Sequence, residues 1–83
     1  MNSAPQLMVV HLPDHAPIRV NYFLTEDHTT SLPIVDLHLH FRRDHDGKDV
    51  QLTEAIQRKA AKQERLMQVI IAEIVQEYLH HRL

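Results

Sequence analysis

The sequence predicts an α+β domain: a small antiparallel β-meander of about three strands, followed by one long C-terminal amphipathic helix. Three observations carry this expectation. Pro5, Pro13, Pro17, Pro33 and the single glycine, Gly47, all fall in the first 47 residues. Within that stretch apolar and polar residues alternate with period two, the pattern of half-buried strands. From Lys48 onward no breaker interrupts the chain, and apolar residues recur at helical spacing. Residues 1–47 and 48–83 are two halves of a single domain, because at 83 residues neither half can enclose a core alone.

Three segments read as strands. Residues 7–12 are short and apolar on both faces. Over 18–24, Ile18, Val20, Tyr22 and Leu24 share one side, with Arg19, Asn21 and Phe23 on the other. Over 34–41 the alternation is strictest, with Val35, Leu37, Leu39 and Phe41 facing one way and Asp36, His38 and His40 the other. Pro13-Asp14-His15-Ala16-Pro17 reads as a turn, 25–33 as a polar loop, and Asp44-His45-Asp46-Gly47 as the turn closing the third strand. An antiparallel meander with one face open to solvent follows.

The remaining segment is expected to be helical from Asp49 or Thr53, either of which can cap it, with Glu54 adding favourable charge in the first turn. At 100° per residue Leu52, Ile56, Ala60, Met67, Ile70, Ile71, Ile74 and Tyr78 form one stripe. Beyond Leu66 the apolar residues come as doublets, which widen the stripe past a coiled-coil seam. A helix over 52–82 spans ~46 Å at 1.5 Å per residue. A domain of this size has a radius of gyration of only ~12 Å, so the helix overhangs its own sheet or breaks. A homodimer is the expected answer, with Leu66, Ile70, Ile71, Ile74, Val75, Tyr78 and Leu79 forming core and dimer contact.

Composition narrows the function classes. There is no cysteine, so disulfides and thiolate metal sites are excluded. The longest apolar runs are four residues, far short of a membrane span, and no secretory signal is present, so a cytoplasmic location is expected. A net charge of −2 disfavours a dedicated nucleic-acid binder. Basic residues nevertheless gather at Arg58, Lys59, Lys62 and Arg65, against Glu64 alone. One glycine permits no phosphate-binding loop, and neither Ser3 nor Ser31 sits in a nucleophile elbow.

The string Val35-Asp36-Leu37-His38-Leu39-His40-Phe41-Arg42 resembles the Asp-x-His-x-His strand of metal-dependent amidohydrolases, and Phe41-Arg42 looks like the dihydroorotase version. It is also similar to the first motif of the polymerase-and-histidinol-phosphatase family, with Asp46-Gly47 placed loosely as in its Ser-Asp-Gly. Both resemblances imply paired histidines ligating metal from one strand face. Such enzymes are built on barrels of ~250 residues, whereas 43 residues follow His40 here, so no such enzyme is expected. A smaller site is open to Asp36, His38 and His40, whose spacing is compatible with zinc. The competing reading is that the eight histidines are polar surface residues, and no metal or other cofactor is expected.

From Val50 to Arg82 the chain resembles the ribbon-helix-helix repressors and antitoxins, which implies a ribbon at 48–52, helices at 53–63 and 68–81, and DNA as the partner. Ala60, Ile70, Ile71, Ile74, Tyr78 and Leu79 match its core pattern, while Glu64 stands where that family carries glycine and Lys59 where it is apolar. The leading expectation is a non-catalytic regulator or adaptor, a homodimer that binds another protein. DNA binding is the alternative. Phe23, Arg42, Arg43, Arg58, Lys59, Lys62 and Arg65 are the candidate recognition surface.

Overall fold

The computed structural model describes residues 4–26, 33–43 and 47–81. Most of the expected loop, at 27–32, lies outside the described residues, as do 44–46 of the Gly47 turn, Ser3, Ser31 and His45. The order of elements is β1 (Gln6–Val10), β2 (Ile18–Glu26), β3 (Ile34–Arg42), β4 (Asp49–Gln57), α1 (Arg58–Ala61) and α2 (Glu64–His81). The fold is α+β as expected, but the sheet has four strands and the helical segment is shorter and divided.

All strands pair antiparallel in the order β1-β2-β3-β4. The β1–β2 turn places Asp14 at φ 63°, a left-handed conformation that Asp tolerates better than most residues. Gly47 closes the β3–β4 hairpin at φ 67°, donating its N–H to the Arg43 carbonyl at 2.8 Å. A side chain there would strain the backbone, so the one glycine has a definite task.

The fourth strand occupies residues that read as the start of a helix. Leu52 and Ile56 lie four apart, one helical turn and also two full strand alternations, so that pair fits both periods. Val50 settles the matter: it shares the Leu52 face only in a strand, and it is 6 % exposed. Pairing with β3 over nine residues then satisfies a ladder that would otherwise be an open edge. Asp49, Thr53 and Glu54 are strand residues, not caps.

Two backbone bonds bracket β4. Arg43 N–H donates to the Lys48 carbonyl at 2.9 Å, and Arg58 N–H to the Pro33 carbonyl at 2.6 Å. Bonded pairs alternate along an antiparallel ladder, so the register makes Phe41/Val50, Leu39/Leu52, Leu37/Glu54 and Val35/Ile56 the bonded pairs between. The N–H and C=O groups of Asp49, Gln51, Thr53, Ala55 and Gln57 therefore point away from β3, toward the outer edge of the sheet.

The helical segment turns at Lys62–Gln63. Lys62 N–H closes the last bond of α1 on Arg58 O, and Gln63 O accepts the Met67 N–H to start α2. The continuous helix expected over 52–82 is thus replaced by a strand, a single turn and an 18-residue helix. At 1.5 Å per residue α2 is ~27 Å long, which suits a molecule measuring 40 × 23 × 23 Å.

The core lies between α2 and one sheet face. Met67, Ile71 and Val75, at i, i+4 and i+8, are 0–2 % exposed and pack on Val10, Ile18, Val20, Tyr22, Leu39 and Phe41. Burying each such side chain contributes about 1.5–3 kcal/mol.

Candidate binding surfaces

The sheet has two unlike faces, because each strand alternates. One bears α2. The other is open and carries Leu7 and Val9 from β1, then Arg19, Asn21, Phe23 and Thr25 from β2. It continues with Asp36, His38, His40 and Arg42 from β3 and Gln51, Thr53 and Ala55 from β4.

His38 is the centre of the open face. Its ring stacks on Phe23 across the β2–β3 pair, with centroids 4.6 Å apart and planes 9° from parallel. Nε2 is hydrogen-bonded to the Thr25 hydroxyl and Nδ1 lies 3.3 Å from the Thr53 hydroxyl. A hydroxyl can donate or accept, so both ring nitrogens are satisfied in either tautomer. His40, two residues along, approaches Asp49 at 3.8 Å instead, and Arg42 Nε reaches the same carboxylate oxygen at 3.8 Å. Asp36, His38 and His40 share a face as the sequence indicates, but each histidine has a different neighbour. Among the described residues no group of three or more His, Asp or Glu side chains is placed to hold a metal ion.

The candidate recognition residues are scattered. Phe23 is half-buried by its stack on His38, and Arg42 remains on the open face. Arg43 is on the helix side, where it donates to the Tyr78 hydroxyl at 3.5 Å. Arg58 pairs with Glu26 at 3.9 Å, whereas Lys59, Lys62 and Arg65 are exposed around the joint between α1 and α2. The layout implied by the ribbon-helix-helix resemblance is not formed. Thr53–Gln57, where its first helix falls, is strand, and the break precedes Glu64.

The helix-bearing face is only partly covered. Of the strands, α2 comes closest to β1. Its Gln76, Leu79 and His80 line a shallow cavity of about 220 Å³ with Leu12, Pro13 and His15, at the β1–β2 turn. The opposite flank of α2, with Leu66, Ile70 and Ile74, consequently lies on the side of β3 and β4. Tyr78 reaches that side too, packing edge-on against Phe41 at 5.8 Å. Leu66 is 39 % exposed and Val69, on the outer surface, 48 %; Ile70 and Ile74 are half-buried. On the covered face of the sheet, Leu24, Leu52 and Ile56 are half-buried as well.

Of the seven expected core and interface residues, then, Ile71 and Val75 are enclosed by the chain's own sheet, and Tyr78 and Leu79 pack at its end. Leu66, Ile70 and Ile74 retain accessible surface. Sequence spacing hides the contribution of β4, because Leu52 and Ile56 fit a helical stripe as well as a strand. Among the described residues no helix is long and apolar enough to cross a membrane. No protein-family model, curated protein or solved structure matches the chain.

Proposed function

We propose that this chain is a small non-catalytic regulatory or adaptor protein that works as a homodimer and binds another protein. The observation that carries the reading is the half-covered helix-bearing face. Along one flank of α2, Leu66, Ile70 and Ile74 keep accessible surface, and on the covered sheet face Leu24, Leu52 and Ile56 are incompletely buried. Accessible apolar side chains set at i, i+4 and i+8 along one helix flank are a surface for protein contact. Its chemistry offers contact area and little else, which favours binding over catalysis.

Two measurements test the reading. Sedimentation equilibrium at micromolar concentration is expected to give twice the mass of one chain; a monomer there refutes the homodimer. Affinity capture followed by mass spectrometry is expected to recover a specific protein with the wild type and to lose it with Leu66→Glu/Ile70→Glu. Circular dichroism should show that this variant keeps its fold, since Leu66 is exposed and Ile70 only half-buried. Capture undiminished by the double change removes the α2 flank from the binding surface.

A further inference from the structure

We infer that two copies of the chain join edge to edge through β4, in an antiparallel pairing centred on Thr53 that makes one eight-stranded sheet. The inference rests on the homodimer proposed above and specifies its seam.

The argument begins with the edges of the sheet. Edge strands present unpaired N–H and C=O groups, and stable monomers blunt them with shortness, proline, lysine or a bulge. The β1 edge has two of these protections: it is five residues long and follows Pro5 directly. The β4 edge has neither, and its one guard is the charge of Glu54 on the core-facing side. It is nine residues long, contains no proline or lysine, and pairs with β3 residue for residue without a bulge. Asp49, Gln51, Thr53, Ala55 and Gln57 turn their backbone groups outward, and among the described residues no strand pairs with them.

A second copy fits this edge in one register. Only residues with outward backbone groups can form bonded pairs, so the two-fold axis must respect the alternation. Centred on Thr53, the pairing sets Thr53 against the partner's Thr53, Gln51 against the partner's Ala55 and Asp49 against the partner's Gln57. Every outward N–H and C=O of β4 then has a mate. On the helix-bearing face Val50 meets the partner's Ile56, two apolar side chains, and Leu52 meets the partner's Glu54. No acid faces an acid. Moving the axis one residue onward would set Glu54 against itself, and like charges directly opposite are destabilising. Moving it back to Leu52 leaves backbone groups at the strand ends unpaired. Charge and backbone matching together select Thr53.

Cysteine placement tests the seam, since the chain has no cysteine of its own. Residues opposite one another in a bonded pair have Cα atoms ~5.5 Å apart, within the span a disulfide accepts. Thr53→Cys is therefore expected to oxidise rapidly to a covalent dimer. Asp49→Cys alone should not, because its two copies lie roughly 27 Å apart at ~3.4 Å per residue. A mixture of Asp49→Cys and Gln57→Cys chains should cross-link. Gln51→Pro removes one outward N–H without breaking the β3 ladder, and is expected to leave a folded monomer. If the wild type is a dimer but Thr53→Cys stays uncross-linked while Val69→Cys couples readily, the seam runs through α2. That outcome overturns this inference and leaves the homodimer intact. A monomeric wild type overturns both.

Discussion

Tyr22 ties β2 to β1 on the sheet's covered face: its hydroxyl donates to Gln6 Oε1 at 2.7 Å while its ring is enclosed under α2. Burial raises its pKa, and the Glu64 carboxylate at the start of α2 raises it further. The sign follows directly. In the unfolded chain tyrosine ionises near ~10, before it does in the folded one, so its contribution is complete below that pH. It is lost as pH rises through the folded value. Urea unfolding across an alkaline series should show stability falling more steeply in the wild type than in Tyr22→Phe. Equal slopes would remove Tyr22 as the cause. Near neutral pH the same substitution should cost about 1 kcal/mol for the lost hydrogen bond. A second contrast sits on α2. Ile71→Ala opens a cavity at a fully buried position and should cost about 2–5 kcal/mol. Val69→Ala, at a position half exposed, should stay within ~0.5 kcal/mol.

Elements with one face buried and one wet were legible in the sequence; β4 was not, and the reason is geometric. In β2 and β3 apolar residues recur at strict two-residue intervals for seven positions or more, which no helix accommodates. In β4 the core-facing position 54 is a glutamate, so only Leu52 and Ile56 signal beyond Val50, and a four-residue gap fits either period. The division at Lys62–Gln63 was invisible for a similar reason: no Pro or Gly marks it, and the chain must turn there only because β4 ends at one side of the sheet while α2 lies across it. The open face was legible as a row of Asp36, His38 and His40, yet its actual bonding depends on Thr25 and Thr53 from neighbouring strands. Spacing within one strand cannot reveal those partners. Amide exchange resolves the β4 assignment residue by residue. In a dilute monomer Val50, Leu52, Glu54 and Ile56 should be protected, whereas Asp49, Gln51, Thr53, Ala55 and Gln57 exchange. A helix over the same residues would show no such alternation. At dimer-forming concentration the exchanging set should become protected in turn.

For the whole molecule the governing quantity is how little surface a chain of 83 residues can bury. One 18-residue helix on a four-stranded sheet leaves the β4 side of the covered face half-exposed, and no disulfide compensates. Small folds in this position gain stability from a metal or from a second copy. The two sources give different thermal behaviour. Metal dependence would appear as a fall in Tm on chelation, reversed by zinc and abolished in His38→Ala/His40→Ala. Since His38 already has a threonine at each ring nitrogen, chelation is expected to leave Tm unchanged. Association instead makes Tm depend on protein concentration. A partner present at ~100 times Kd adds about 2.7 kcal/mol to the folded state. In a domain this small each kcal/mol moves Tm by roughly 4–8 °C. Differential scanning calorimetry from dilute to concentrated wild-type protein should therefore show Tm rising by ~10 °C or more. Gln51→Pro, with its outward N–H gone, should melt at the lower temperature at every concentration. A wild-type Tm that does not change with concentration would show that the single chain carries all of its stability alone, and the dimer would have no thermodynamic role.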